Sequence, residues 1–453
     1  MHTSSPRYGG RRAAAMAALA LLLVGTASTT ATAESIREEQ WFLNAMHAED
    51  MWRTSTGEGV TVAVIDTGVD PDNPDLRGRV LSGKDLAPEG VPGDEHTDYD
   101  GHGTGMAGLI AGTGAYGGGK GAFGLAPGAK ILPIRLPVTG TAANKAEGAQ
   151  TFNSALVLAI RYATDQGVKV INISQAVSHG SPQVTTAVKY ALDKGALVFA
   201  GVGNDGDTAN QPMYPAATPG VIGVAAVGKD LRRTAWSQYG PQVDISAPGE
   251  DMLHACGGKT GLCETEGTSD ATALASASAA LIWSAHPDWT NNQVLRVMLN
   301  TIGAPTDGAK RNDSIGYGIV RPRIALTNPG DPGPADEYPL PDLAAADTPS
   351  ASTGPTGANP PAPSKDIDPG MTVPAPDEDT DLSWLPIGIG AVTVAALAIT
   401  ATGIFRRRRR FIAPSPTPSS PDGPPHPHAL TGFGPPPAMP PSSPPPNRGT
   451  DTV

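Results

Sequence analysis

Four polar side chains stand where acyl transfer could use them. A serine attacks a peptide carbonyl efficiently only when a base takes its proton, a carboxylate orients that base, and donors receive the oxyanion. Asp66 ends the apolar run Val60–Ile65 and is followed by Thr67-Gly68. A carboxylate at the mouth of a buried strand loses part of its hydration and needs partners. His102 lies in Asp100-Gly101-His102-Gly103-Thr104-Gly105, at the head of a helix expected to reach Ala111. Its small neighbours would let a substrate backbone come close. Ser269 lies in Gly267-Thr268-Ser269-Asp270-Ala271, ahead of a helix expected to about Ala285. That helix is almost wholly Ala, Ser, Thr and Leu, the composition of a tightly buried one, and its N-terminus favours developing negative charge. Asn204 closes Gly201-Val202-Gly203-Asn204, where an uncharged amide can donate to an oxyanion without becoming a rival nucleophile. Taken alone, each has a plainer reading: a turn-starting Asp, a surface or core His, an N-cap Ser, a turn Asn. The other eight histidines keep that plainer reading.

The elements that would position these groups are those of an α/β domain. Val60–Ile65, Val168–Ile173, Leu197–Gly201 and Val221–Val227 are near-continuous apolar runs, as expected of strands buried on both faces. Helical stretches such as Ser154–Gln166 and Gln183–Lys194 alternate with them. That alternation predicts a parallel sheet with right-handed crossovers. Functional groups on such a sheet gather at the carboxyl ends of the strands, which is where Asp66 and Asn204 fall. Gly114–Lys120 imitates the start of a phosphate-binding loop, but Gly121 stands where a hydroxyl must reach the metal, so a surface loop is expected there.

The flanks are of another kind. The 453 residues include 55 Gly, 46 Pro and only 5% aromatics, which suits one packed domain joined to stretches that cannot pack. A net charge of −12 argues against nucleic-acid binding, since phosphate contacts need a basic face. Residues 1–33 read as an export signal, with Arg7, Arg11 and Arg12 before an apolar run and Ala31-Thr32-Ala33 as the cut site. Residues 328–381 carry eleven acidic side chains against one Lys and many Pro, Ala and Ser, the composition of an extended, disordered linker. Leu382–Phe405 has no charge and, at about 1.5 Å per residue, is long enough to cross a bilayer. Arg406–Arg410 follow at once and would hold the Pro-rich tail, 406–453, in the cytoplasm. The expected location is therefore the cell membrane, with a single span and the large domain, 34–327, outside. Cys256 and Cys263 lie in a Gly-rich loop that supplies too few ligands for a metal; in an exported protein they are free to pair, and a local disulfide is expected.

Asp, His, amide and Ser occur in that order, each at an expected strand or helix end. The order resembles the subtilisin-like (subtilase) family of serine endopeptidases. The matching stretches are Val64–Asp70 with Pro74-Asp75-Leu76, Gly101-His102-Gly103-Thr104 and Gly267-Thr268-Ser269. Gly124–Ala129, Val170–Ser174 and Ser246–Gly249 support them, and the resemblance covers about residues 41 to 325. It implies a three-layer parallel-sheet fold in which Asp66 orients, His102 serves as base then acid, Ser269 attacks and Asn204 helps hold the oxyanion. It also implies that a polypeptide substrate lies as an extra strand between Ser174-Gln175-Ala176 and Gly201-Val202-Gly203. The stretch from Leu136 to Thr151 is expected to border this cleft. The reaction needs no cofactor; calcium is frequent in the family as a structural ion, yet no spacing here identifies a site.

Two positions depart from the family pattern. Ala273 stands where a Pro usually follows the nucleophile, and Asp270 replaces a usually apolar residue. An Asp270 facing the cleft would oppose the oxyanion, whereas one pointing outward would complement the helix dipole. These departures sustain an alternative, a protease-fold scaffold within a membrane complex. Signal, protease domain, linker and single span together look like the mycosins, proteases attached to type VII secretion systems, which implies such a complex as a partner. Only 32 residues separate the expected cut after Ala33 from Asp66, too few for a folded inhibitory pro-domain.

Overall fold

The computed structural model describes residues 35–347 except 139–141, 143 and 258–260. Three short helices, α1 (Ile36–Glu39), α2 (Trp41–Met46) and α3 (Ala48–Trp52), lead to β1 (Thr61–Asp66) and β2 (Lys84–Asp85). There follow α4 (His102–Ala111), the single turn α5 (Tyr116–Gly119), β3 (Lys130–Arg135), α6 (Lys145–Asp165), β4 (Val170–Ile173), α7 (Pro182–Asp193) and β5 (Leu197–Gly201). The chain continues through β6 (Ile222–Val227), β7 (Ile245–Pro248), the hairpin β8 (Met252–Ala255) and β9 (Leu262–Thr265), and α8 (Thr268–Ala285). It closes with α9 (Asn291–Asn300), α10 (Pro322–Thr327) and α11 (Pro341–Asp347). Seven strands form one parallel sheet in the order β2-β3-β1-β4-β5-β6-β7.

The pleat of this sheet feeds two apolar layers. Along β1, Val62 and Val64 join the layer that holds α4 and α8, while Ala63 and Ile65 join the layer of α6 and α7. Leu197 and Phe199 of β5 divide from Val198 and Ala200 in the same way. Alternation between two buried faces explains why these strands read as unbroken apolar runs. The small residues of α8 let it lie almost wholly buried, with Ala271 through Trp283 all inside. Its neighbour α4 comes equally close to the sheet: a Cβ on Gly103 would lie 2.1 Å from the Gly68 carbonyl oxygen and 3.1 Å from Asp66 Cβ. Any side chain there would push the helix off the end of β1.

Several expectations are corrected. The helix expected from Ser154 begins at Lys145, capped by the Asn144 side chain, so much of Leu136–Thr151 is helical. Strand β3 carries Pro133 between charged ends, and β7 ends in a Pro, so neither announces itself as a strand. The stretch 328–347 belongs to the folded domain and is not linker. Leu340 is buried, Tyr338 donates from its hydroxyl to the Gly220 carbonyl (3.0 Å), and Asp342 Oδ2 accepts from Gly220 N–H (2.7 Å). Three anchor residues amid a Pro- and Asp-rich background dock a segment whose average composition suggests none. Among the described residues no helix is long and apolar enough to cross a membrane. The expected signal (1–33), span (382–405) and tail (406–453) lie outside the described residues.

Candidate active site

The mouth of the sheet gathers the residues singled out in the sequence. Asp66, last in β1, is fully buried. Its Oδ1 accepts from Thr67 N–H (2.8 Å) and Gln175 Nε2 (3.3 Å), and lies 2.7 Å from His102 Nδ1. His102 opens α4, its own N–H donating to Asp100 Oδ1 at 2.8 Å. With Nδ1–H donated to Asp66, Nε2 is the nitrogen left to take or give a proton. Burial opposes the charged form of His102. The Asp66 carboxylate, through its charge and hydrogen bond, together with Asp270 and Asp100, outweighs that and pushes the pKa up to about 9.

Asp98, which sequence reasoning passed over, fastens α4 to the end of β1. Its Oδ1 accepts from Thr67 Oγ1 (2.7 Å) and Gly101 N–H (2.9 Å), and its Oδ2 accepts from Thr104 N–H (2.7 Å) and Thr104 Oγ1 (2.6 Å). Thr67 Oγ1 in turn accepts from Gly103 N–H at 2.8 Å. One carboxylate thereby fixes the distance between Asp66 and His102. Its position gave no signal in sequence, since the N-cap of α4 is Gly101 and Asp98 lies three residues before it.

Ser269, half-buried, is the second residue of α8. Its Oγ donates to the Ser174 carbonyl (2.9 Å), and Ser174 Oγ donates back to the Ser269 carbonyl (3.2 Å). The hydroxyl is thus held toward the end of β4. Asn204 follows β5, and its Oδ1 accepts from both Thr268 N–H and Thr268 Oγ1, each at 2.9 Å. These bonds aim Nδ2 toward the start of α8; a Cβ on Gly267 would lie 3.5 Å from it. Gly203 N–H donates to Thr268 Oγ1 (3.2 Å), tying the second cleft segment to the same turn.

The two expected substrate segments lie at the ends of neighbouring parallel strands, Ser174-Gln175-Ala176 after β4 and Gly201-Val202-Gly203 at and after β5. Beyond Ala176 the surface opens into a cavity of about 370 Å³ that Asp205, Met213 and Gln238 also line. Cys256 and Cys263 form a disulfide at the mouth of the β8–β9 hairpin. Among the described residues no three His, Cys, Asp or Glu side chains converge to hold a metal ion.

The two departures take positions of their own. Ala273 is buried and continues α8 without interruption. Asp270 faces neither the cleft nor solvent, so neither orientation anticipated for it holds. It is turned under the hairpin, 2% exposed, with Oδ1 2.5 Å from Thr265 Oγ1 and 3.6 Å from Nε2 of the buried His254. His254 was indistinguishable in sequence from a bland core histidine, because its partners lie on three separate elements.

Residues 57–318 match the family described as the subtilase family. Over 243 residues the chain is 36% identical to an intracellular serine protease of Paenibacillus polymyxa, a match that covers 52% of this chain and 70% of the relative. Over 240 residues it is 35% identical to thermitase of Thermoactinomyces vulgaris, covering 53% and 80% respectively. Among solved structures it resembles MycP1 from Mycobacterium smegmatis, with a TM-score of 0.58 and 27% identity over 69% of this chain and 89% of the other. It also resembles the MycP3 protease from the type VII (ESX-3) secretion system, with a TM-score of 0.55 and 32% identity over 63% and 88%. A match over more than half the chain, together with the sheet and the residues at its mouth, shows that this protein belongs to the subtilase family and is a serine endopeptidase.

Proposed function

We propose that Asp66, His102 and Ser269 form the catalytic triad and that Asn204 supplies an oxyanion donor. One observation carries this reading. Three segments far apart in the chain meet at the carboxyl edge of the sheet, with His102 Nδ1 held 2.7 Å from a fully buried carboxylate. In the reaction Ser269 Oγ leaves the Ser174 carbonyl and attacks the scissile carbonyl carbon while neutral His102 takes its proton at Nε2. The new oxyanion receives a hydrogen bond from Asn204 Nδ2. Collapse of the tetrahedral intermediate expels the amine, which takes the proton back from His102 and leaves an acyl-enzyme. Water then repeats the sequence and frees Ser269.

We further propose that the enzyme is anchored in the cell membrane by residues 382–405 and works beside a type VII secretion complex. The uncharged run before Arg406–Arg410 and the likeness to MycP1 and MycP3 support this. An active-site fluorophosphonate applied to the full chain tests the catalytic reading: Ser269 should label and Ser269→Ala should not. A wild-type protein that stays unlabelled at every pH would favour the scaffold instead. Shaving intact cells with an external protease tests the topology; removal of the domain with survival of tail epitopes is expected, and loss of the tail would reverse it.

A further inference from the structure

Directly behind the nucleophile lies a second histidine–carboxylate pair that peptide hydrolysis, as described above, does not use. His254 of β8 is 1% exposed and Asp270 of α8 is 2% exposed. Thr265 of β9 stands between them, its Oγ1 2.8 Å from His254 Nε2 and 2.5 Å from Asp270 Oδ1. On the far side of the ring, His254 Nδ1 lies 2.8 Å from the Ala255 carbonyl oxygen. Helix α4 packs close against the ring: a Cβ on Gly105 would lie 2.7 Å from His254 Cε1, so only glycine fits there.

Counting protons along this row leaves two arrangements. A carbonyl can only accept, so Nδ1 carries a hydrogen in both. If the Thr265 hydroxyl donates to an Asp270 carboxylate, it has no second hydrogen, and His254 must donate from Nε2 as an imidazolium. If instead Asp270 is a carboxylic acid donating to Thr265, the hydroxyl donates to Nε2 and His254 is neutral. The two differ by protons shifted along the row and have the same net charge. Burial favours the second. Two buried ions each lose their hydration. Against this the ion pair gains attraction across 3.6 Å and, at the first turn of α8, some support from the helix dipole. The uncharged arrangement satisfies the same contacts without the penalty.

We propose that His254, Thr265 and Asp270 form a proton-sharing row that keeps Asp270 uncharged beside Ser269, making His254 and Asp270 positioning residues for the charge state of His102. Burial raises the pKa of Asp270 and lowers that of His254, in keeping with this arrangement. His102 is the other titratable group whose charge reaches the pair, and Asp66 and Asp100 face His102 from its far side. Part of what lifts His102 toward 9 is negative charge on Asp270. An uncharged Asp270 removes that part, lets the base titrate closer to neutrality, and leaves no anion to oppose the developing oxyanion. The departure from the family pattern beside the nucleophile is thereby made harmless by its neighbours.

This inference rests on His102 being the base, and its test is kept independent of turnover. The full chain, selectively ¹⁵N-labelled at histidine and solubilised in detergent, is titrated by NMR, and its infrared spectrum is recorded beside that of Asp270→Asn. Asn at 270 can donate to Thr265 as the protonated acid does. The expected result is a neutral, Nδ1-protonated His254 at pH 7, a protonated-carboxyl band lost in Asp270→Asn, and an unchanged His102 titration in that variant. An imidazolium at His254, or a His102 midpoint lowered by about one pH unit in Asp270→Asn, would overturn the proposal. Should Asp270→Asn not fold, the wild-type spectra decide alone. Fluorophosphonate labelling separates the two readings: a labelled Ser269 with a charged His254 removes only this inference, and a neutral His254 with an unlabelled Ser269 removes only the catalytic one.

Discussion

The molecule holds two histidine–carboxylate pairs built from the same side chains and driven in opposite directions. At the cleft, Asp66 receives two further donors besides His102, and the His102 side chain keeps 34% of its surface in solvent. There the charged pair is favoured and the imidazole holds its proton more tightly than a free one. Under the hairpin, the Asp270 and His254 side chains are 3% and 1% exposed, and one hydroxyl is shared between them. There burial wins, raising the pKa of the acid and lowering that of the imidazole. Adjacency of a carboxylate therefore does not by itself charge a histidine. What decides it is whether the carboxylate's charge and direct hydrogen bond outweigh the cost of burying the ring.

This contrast can be broken from its largest effect downward. Removing the nucleophile with Ser269→Ala should cost on the order of 10⁶ in kcat, and Asp66→Asn about 10⁴, because the latter leaves His102 in the wrong tautomer. Both are read in peptide turnover with melting points near wild type. Asn204→Ala should slow turnover by about 10²–10³, the usual loss for one oxyanion donor. At the buried pair the readout moves from rate to stability. His254→Leu leaves a carboxyl and a hydroxyl without their partner, and denaturant unfolding should show a loss of about 1–3 kcal/mol. His254→Leu with Asp270→Leu should recover much of that loss; strict additivity of the two would show that the pair is not coupled.

The pH dependence sharpens the same comparison. His102 has a folded pKa above the unfolded value of 6.5. Its pairing therefore stabilises the fold fully below that value, and the contribution fades as pH rises through the folded pKa. Turnover runs the other way, since the base must be neutral: kcat/KM should climb over the same window, with its midpoint below 9 if Asp270 is uncharged. The disulfide should matter about as much to stability as the buried pair, and not at all to its protonation. Cys256→Ser with Cys263→Ser should lower stability by about 2 kcal/mol, given so short a loop, and leave the His254 spectrum unchanged.

The sheet was legible where its buried strands run as unbroken apolar stretches. The runs at β1, β4, β5 and β6 are apolar enough to mark themselves, and α4 begins and ends where its glycines suggested. β3 was not legible, because its interior Pro133 and charged ends match no strand pattern. Asp66, His102, Ser269 and Asn204 could be singled out because each lies at or near the end of an element, close to glycines. Asp98, His254 and Thr265 were not, since their roles arise only where separate elements meet. Asp270 shows the limit most clearly. Its identity flagged an anomaly, but its environment is written in Gly105 on one helix and in His254 and Thr265 on a hairpin. The first part of the acidic stretch misled for the opposite reason, because Tyr338, Leu340 and Asp342 outweigh everything around them.

That last segment also has a mechanical meaning. Tyr338 and Asp342 both grip the polar groups of Gly220, the residue two places before β6, while Leu340 seats in the core. A pull on the chain beyond Asp347 would be met first by these contacts and then by the bonds that tie Gly333, Ala335 and Glu337 to α9 and its cap. Such bonds can part in turn, whereas a seven-stranded parallel ladder must be sheared as a whole. Load on this end is therefore expected to free the segment before it disturbs the mouth of the sheet.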